Sequence, residues 1–131
     1  MKVIKNISFK YANVDLLDNG IIRIDMLGGH IIDLEESVQL NIAQGELLKG
    51  ETGSGLVLMM ADSTTQFTSE ARDFSASKEG LRFSKAEAMV VKNLAQKLIV
   101  NFYLKFNNPS VPSKAFNTEE EAVKWLLSFK S

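Results

Sequence analysis

A chain of 131 residues, 45% hydrophobic and 24% charged, has the length and composition of one globular domain able to bury a sizeable core. It has no cysteine, which excludes disulfides, a thiolate zinc site and a cysteine nucleophile, and which fits a reducing compartment. The net charge of −1 conceals a polarity: residues 1–80 carry 7 basic and 12 acidic side chains (−5), residues 81–131 carry 8 and 4 (+4), an asymmetry able to orient a partner or a second copy.

The start, MKVIKNISFKYANVD, has no long apolar run followed by a small-residue cleavage site, so no secretion signal is predicted. The longest strongly apolar stretch, residues 56–61, is far too short to span a bilayer, and a cytoplasmic domain is expected. No repeat, low-complexity tract or linker divides the chain, so residues 1–131 are read as one domain.

A first strand is predicted at residues 11–17 and a second at 21–27, joined by Asp18, Asn19 and Gly20, where Asn-Gly suits a tight hairpin turn. Gly28-Gly29 closes the second strand. Asp33 with Glu36 three residues on forms a capping-box pattern, opening a helix whose apolar stripe is Leu34, Val38, Ile42 and Leu48 and whose stop is Gly50. The run LVLMMA at 56–61 lacks alternation, as a central strand covered on both faces does.

A second helix follows at 69–76, capped by Thr68, and then a short strand at about 86–91. The third helix, 93–106, is expected to turn Leu94, Ala95, Leu98, Ile99, Phe102 and Phe106 inward. Pro109 and Pro112 prevent its continuation, making NNPSVPS an extended loop. A last short strand at 114–116 leads to a final helix, capped by Thr118 with Glu121, facing Ala122, Trp125, Leu126 and Phe129 to the core. The order ββαβαβα(β)α predicts an α/β fold with a mixed sheet of about five strands, an N-terminal β-hairpin and about four helices.

Chemistry is sparse. The sole histidine, His30, precedes the first helix, where it could serve as a base or hold an anion, but it has no evident nucleophile or second ligand beside it and is read as structural. The GETGSG loop, residues 50–55, lacks the Lys-Ser/Thr ending of a phosphate-binding loop and precedes a strand instead of opening a helix, so it is read as a flexible connection. Asp15, Asp18, Asp25 and Asp33 cluster near the hairpin without ligand spacing, and turn and cap roles account for most of them. Basic residues Arg82, Lys85, Lys92, Lys97, Lys105 and Lys114 are dispersed and lack aromatic interleaving, so no nucleic acid is expected. Neither a catalytic constellation nor a metal or cofactor motif is found.

Two places remain. Ser63, Thr64, Thr65, Thr68 and Ser69 crowd hydroxyls at the C-terminal end of the central strand, where binding sites gather in parallel α/β sheets, and a phosphate on Thr68 or Ser69 would meet a helix N-terminus. The competing reading gives them ordinary turn and cap duties. Val100 and Leu104 form an apolar pair on the otherwise polar side of the third helix, a candidate partner or dimer surface.

The hairpin, VLMMADS with TSEARDFSAS, AMVVKN and the ending NFYLKFNNPSVPSKAFNTEEEAVKWL together resemble the SpoIIAA-like branch of STAS-type domains, small bacterial α/β proteins related in fold to anti-sigma factor antagonists. The ending, with Ala115, Phe116, Ala122, Trp125 and Leu126, is the most specific part. The resemblance covers nearly all of the chain from about Tyr11 and implies a sheet of four or five strands flanked by helices, with a regulatory or protein-binding role. In antagonists of that kind a serine at the start of the helix after the central strand is phosphorylated by a partner kinase. The matching place here is Thr68-Ser69, but Glu70-Ala71-Arg72 replaces the small Ser/Gly-rich turn.

The expectation is therefore a non-enzymatic regulatory or protein-interaction module that self-associates. The alternative is a lipid or small apolar ligand held in a pocket like that of CRAL-TRIO folds.

Overall fold

The computed structural model describes residues 1–130. Along them run β1 (Val3–Ser8), β2 (Ala12–Leu17), β3 (Ile21–Met26), β4 (Ile31–Ile32), α1 (Leu34–Leu47), β5 (Gly55–Ala61), β6 (Gln66–Phe67), α2 (Ser69–Ala76), β7 (Ser84–Val90), α3 (Leu94–Phe106), β8 (Ser113–Phe116) and α4 (Glu119–Leu127). Six strands form the main sheet in the order β1-β2-β3-β5-β7-β8, while β4 and β6 pair by themselves. The first three strands are antiparallel neighbours and the remainder are parallel.

This is the α/β fold expected: a mixed sheet, an N-terminal hairpin and four helices. Its additional strand is β1. Five of its six residues are exposed, so pairing with β2 holds it in place and burial does not. A strand placed that way leaves no apolar period in its sequence.

The β2–β3 turn centres on Asp18 and Asn19, with the Gly20 N–H donating to the Leu17 carbonyl at 3.0 Å. Gly20 itself, at φ 89°, supplies the left-handed residue that returns the chain to β3.

Two cores lie on opposite faces of the sheet. On one face Val14, Ile22 and Val57 meet Leu40, Ala43 and Leu47 of α1. On the other, Leu17, Ile21, Leu58 and Ala88 meet Ala122 and Leu126 of α4. Val57 and Leu58, adjacent on β5, therefore serve different cores, which is why LVLMMA shows no alternation.

α1 begins with the expected capping box: the Glu36 N–H donates to Asp33 Oδ1 at 2.9 Å and the Asp33 N–H to Glu36 Oε1 at 3.1 Å. Its expected stripe is only partly right. Leu34 and Ile42 are exposed, and the buried face is Ser37, Leu40, Asn41, Ala43, Gln44 and Leu47. Asn41 donates to the Gly80 carbonyl at 3.0 Å and Gln44 to Ser84 Oγ at 3.3 Å. Those partners make two amides tolerable inside, and apolar periodicity cannot register them.

α3 inverts the sequence expectation. Leu94, Leu98, Ile99, Phe102 and Phe106 are 71%, 61%, 64%, 65% and 75% exposed. Val100 and Leu104, assigned to an outward docking surface, are instead half-buried beside Gln96 and Tyr103. The physical reason is again polar satisfaction. Gln96 donates to the Ala61 carbonyl at 3.1 Å and Asn107, the C-cap, to Asp73 Oδ1 at 2.8 Å, which tie down the side carrying Gln96, Val100, Tyr103 and Leu104.

α4 is capped by Thr118, whose Oγ1 accepts from the Glu121 N–H at 3.2 Å, while the Glu121 carboxylate takes the Thr118 hydroxyl and not the backbone N–H of a full capping box. Trp125 packs between Phe116 and Phe129, with ring centroids 5.4 and 4.8 Å away.

Candidate functional site

Four places carry polar or apolar groups beyond what the fold requires. The first is the connection from β5 to α2. Asp62 begins it with a turn in which Oδ1 accepts from the Thr64 N–H at 2.9 Å and from the Thr64 hydroxyl at 2.7 Å. These bonds, with a smaller contribution from Lys92, hold the Asp62 carboxyl below its ordinary range. Thr64 Oγ1 also accepts from the Gly29 N–H at 2.7 Å, tying this loop to the end of β3. Gly28 must remain glycine for the same junction: its φ is 90°, and a Cβ there would sit 2.8 Å from Asp62.

The five hydroxyls of this loop are therefore put to different uses. Thr64 is engaged in the turn, and Thr68 caps α2 by accepting the Ala71 N–H at 3.1 Å. Thr65 Oγ1 is buried without a hydrogen-bond partner among the described residues. Ser63 and Ser69 are exposed.

The second place surrounds His30. Its Nε2 lies 2.7 and 2.8 Å from the two carboxylate oxygens of Glu36, and its ring stacks on Tyr11 with centroids 5.3 Å apart. The Tyr11 hydroxyl donates to Gln39 at 2.6 Å. Burial, with the charges of Glu36, Asp33 and Glu35, pushes that hydroxyl up to about 12. The histidine thus clasps the capping carboxylate at the mouth of α1. Asp15, by contrast, neither caps nor turns: it is buried in β2, bonded by Asn6 at 2.6 Å and paired with Arg23 at 3.3 Å.

The third place escaped the sequence reading. Glu87, in the middle of β7, is only 6% exposed. Its Oε2 accepts from Ser84 Oγ at 2.9 Å, and Ser84 in turn receives Gln44. Burial pushes the Glu87 carboxyl up to about 7, against the smaller opposing pull of the Ser84 hydroxyl. The Tyr103 hydroxyl of α3 is raised as well, by burial first and then by the Glu87 charge. A cavity of about 40 Å³ adjoins the carboxyl, lined by Asn41, Gln44, Met26, Met59 and Phe74 among others. Asn41 Oδ1 has no hydrogen-bond partner among the described residues. The available signal was an acid inside AEAMVV, a run otherwise suited to a buried strand.

The fourth place is the outer face of α3. Phe102 and Phe106 stack in solvent, with centroids 5.2 Å apart and planes 11° from parallel. Leu94, Leu98 and Ile99 extend the same face. From residue 88 to residue 118 the chain has no acidic side chain, and Lys92, Lys97, Lys105 and Lys114 are all exposed.

Among the described residues no three His, Asp or Glu side chains converge as metal ligands, and no helix is long and apolar enough to cross a membrane. The model of a family described as a domain of unknown function (DUF7793) matches residues 16–130. No curated protein matches the chain. A solved structure, that of an uncharacterized protein from the DUF3478 family with a SpoIIAA-like fold from Shewanella loihica PV-4, aligns with a TM-score of 0.59 at 15% identity, covering 93% of this chain and 90% of that one. Identity at that level speaks for the fold, which is SpoIIAA-like.

Proposed function

The chain belongs to the DUF7793 family, and from that premise we propose that it is a non-enzymatic regulatory module that works by docking through the outer face of α3. The observation that carries this reading is the exposed row of Leu94, Leu98, Ile99, Phe102 and Phe106, an apolar stripe on a helix that turns Gln96, Val100, Tyr103 and Leu104 towards the sheet instead. Isolated exposed apolar residues are normal on a surface, whereas a contiguous stripe with stacked aromatics is the composition of an interface centre.

The occupant favoured by charge is a second copy of this chain. Lys97 and Lys105 of α3 flank the stripe, and α3 itself carries no acid, while the outer side of α1 exposes Leu34 and Ile42 next to Glu35 and Glu46. An apolar row with an acidic border complements an apolar row with a basic one. The hydroxyls of Ser63 and Ser69, being exposed, are the positions on the β5–α2 loop we assign to modification within this role. An internal lipid site has less support, since the cavity beside Glu87, about 40 Å³, is far below the roughly 300–1,000 Å³ of small-molecule pockets.

The test is a concentration series in analytical ultracentrifugation on the parent chain and on Leu98→Asp with Phe102→Asp. Concentration-dependent association in the parent, lost in the double variant with its circular dichroism unchanged, is the expected result. A parent chain that stays monomeric throughout overturns the assignment of a second copy.

A further inference from the structure

At the end of the sheet opposite the β5–α2 loop lies a cleft of about 340 Å³. It is walled by the β2–β3 turn at Asn19 and Gly20, by the GETGSG loop, by Lys85 at the start of β7, and by Phe129 and Lys130 after α4. We propose that this cleft is an oxyanion site for phosphate, either free or carried on a small organic molecule.

Lys85 is the first ground. It is half-buried, lines the cleft, and makes no ion pair or hydrogen bond among the described residues. With its stem packed at the cleft wall and its ammonium uncommitted to any carboxylate, this lysine is free to take an anion. Lys130 is the second. Its Nζ donates to the Asn19 carbonyl at 3.0 Å, which aims the ammonium across the cleft and leaves two of its three protons free.

The loop supplies the rest. Gly53, at φ 65°, donates its N–H to the Arg82 carbonyl at 2.8 Å, which pins GETGSG against the segment leading into β7. The N–H groups of Thr52 and Ser54, on either side, make no hydrogen bond among the described residues. Glu51 is the one acid in the lining, so two ammonium groups face one carboxylate. In a concave site that surplus is focused and not dispersed. Phe129 and Leu56 add an apolar wall on which the organic part of a phosphate ester can rest.

The sequence pattern alone argued against phosphate because GETGSG carries no lysine of its own and leads into a strand. In the folded chain the cations come from β7 and from the residues after α4, 30 and more positions further along. The site also uses none of the residues of the α3 docking face.

The experiment is an amide chemical-shift titration of the full chain with inorganic phosphate and, separately, with phenyl phosphate, at constant ionic strength set by chloride. Shifts at Gly20, Thr52, Gly53 and Ser54 are expected with both, weakened about tenfold in Lys85→Gln and in Lys130→Gln. Glu51→Gln is expected to tighten binding, a gain that a misfolded variant cannot produce. Tighter binding of phenyl phosphate, erased by Phe129→Ala, supports an organic phosphate. Equal binding of the two probes supports free phosphate. Absence of shifts at those amides, or shifts unchanged when both lysines are replaced, overturns the proposal.

Discussion

The Ser84 hydroxyl donates a 2.9 Å hydrogen bond to Glu87 three residues along the same buried strand. It is the only bond the carboxyl makes among the described residues, and it does not offset the loss of water around it. The fold therefore prefers Glu87 protonated at pH values where an unfolded chain would ionise it.

The sign of the resulting pH dependence follows. With the folded value near 7 and the ordinary value at 4.5, the native state holds the extra proton between them. Stability is fully present below about pH 4.5 and declines as pH rises through 7, by an amount on the order of 3 kcal/mol. Glu87→Gln, which keeps shape and hydrogen bonding without the charge, is expected to flatten this decline and to be the more stable chain at pH 8. Urea unfolding of both chains across pH 5–8 measures it. Parallel curves would show that Glu87 is not the group responsible.

The inverted α3 predicts an inverted mutational pattern. Leu98→Ala should change stability by no more than about 0.5 kcal/mol, and Leu104→Ala should cost about 1–2 kcal/mol. Leu126→Ala, in the fully buried α4 core, should cost about 2–5 kcal/mol. Thermal or urea unfolding gives the ranking. Equal losses at residues 98 and 104 would return the outer stripe to the interior.

Gly80 is held by close approach. A Cβ there would stand only 2.0 Å from the Phe74 carbonyl oxygen, a backbone atom that cannot swing aside. Gly80→Ala should cost about 1–3 kcal/mol, more than Gly53→Ser or any change confined to the open loop. Because Gly80 also presents the carbonyl that Asn41 donates to, the loss should be accompanied by disorder at α1 in amide exchange.

Thr68→Ala removes the acceptor for the Ala71 N–H and should cost about 1 kcal/mol, with Thr68→Ser recovering most of it. A chain that loses nothing at Thr68→Ala would release this hydroxyl from its cap and make it a free phosphoacceptor.

Most of the architecture was legible because its signals are local. The capping box of Asp33 and Glu36, the Thr68 cap and the bounds of α2, the unalternating β5, and the prolines that end α3 each act within a few residues. What remained hidden depends on partners far along the chain. Asn41 and Gln44 look like surface residues until Gly80 and Ser84 arrive beneath them, and α3 looks inward on its apolar side until Ala61 and Asp73 receive its amides. The same holds for the cleft, where GETGSG shows nothing until Lys85 and Lys130 stand across from it. Hydropathy ranks the faces of a helix but says nothing about which polar groups will find mates.

α3 has not one wholly buried side chain, unlike the three other helices. None of its residues belongs to either of the two cores, so its opening free energy lies below that of global unfolding. The amide protons of residues 97–106 should accordingly exchange with deuterium as a group, earlier than those of β5 and β7. The helix that carries the docking stripe is then an independent unit of local stability, and anything that clamps the stripe would slow its exchange without altering the rest of the molecule.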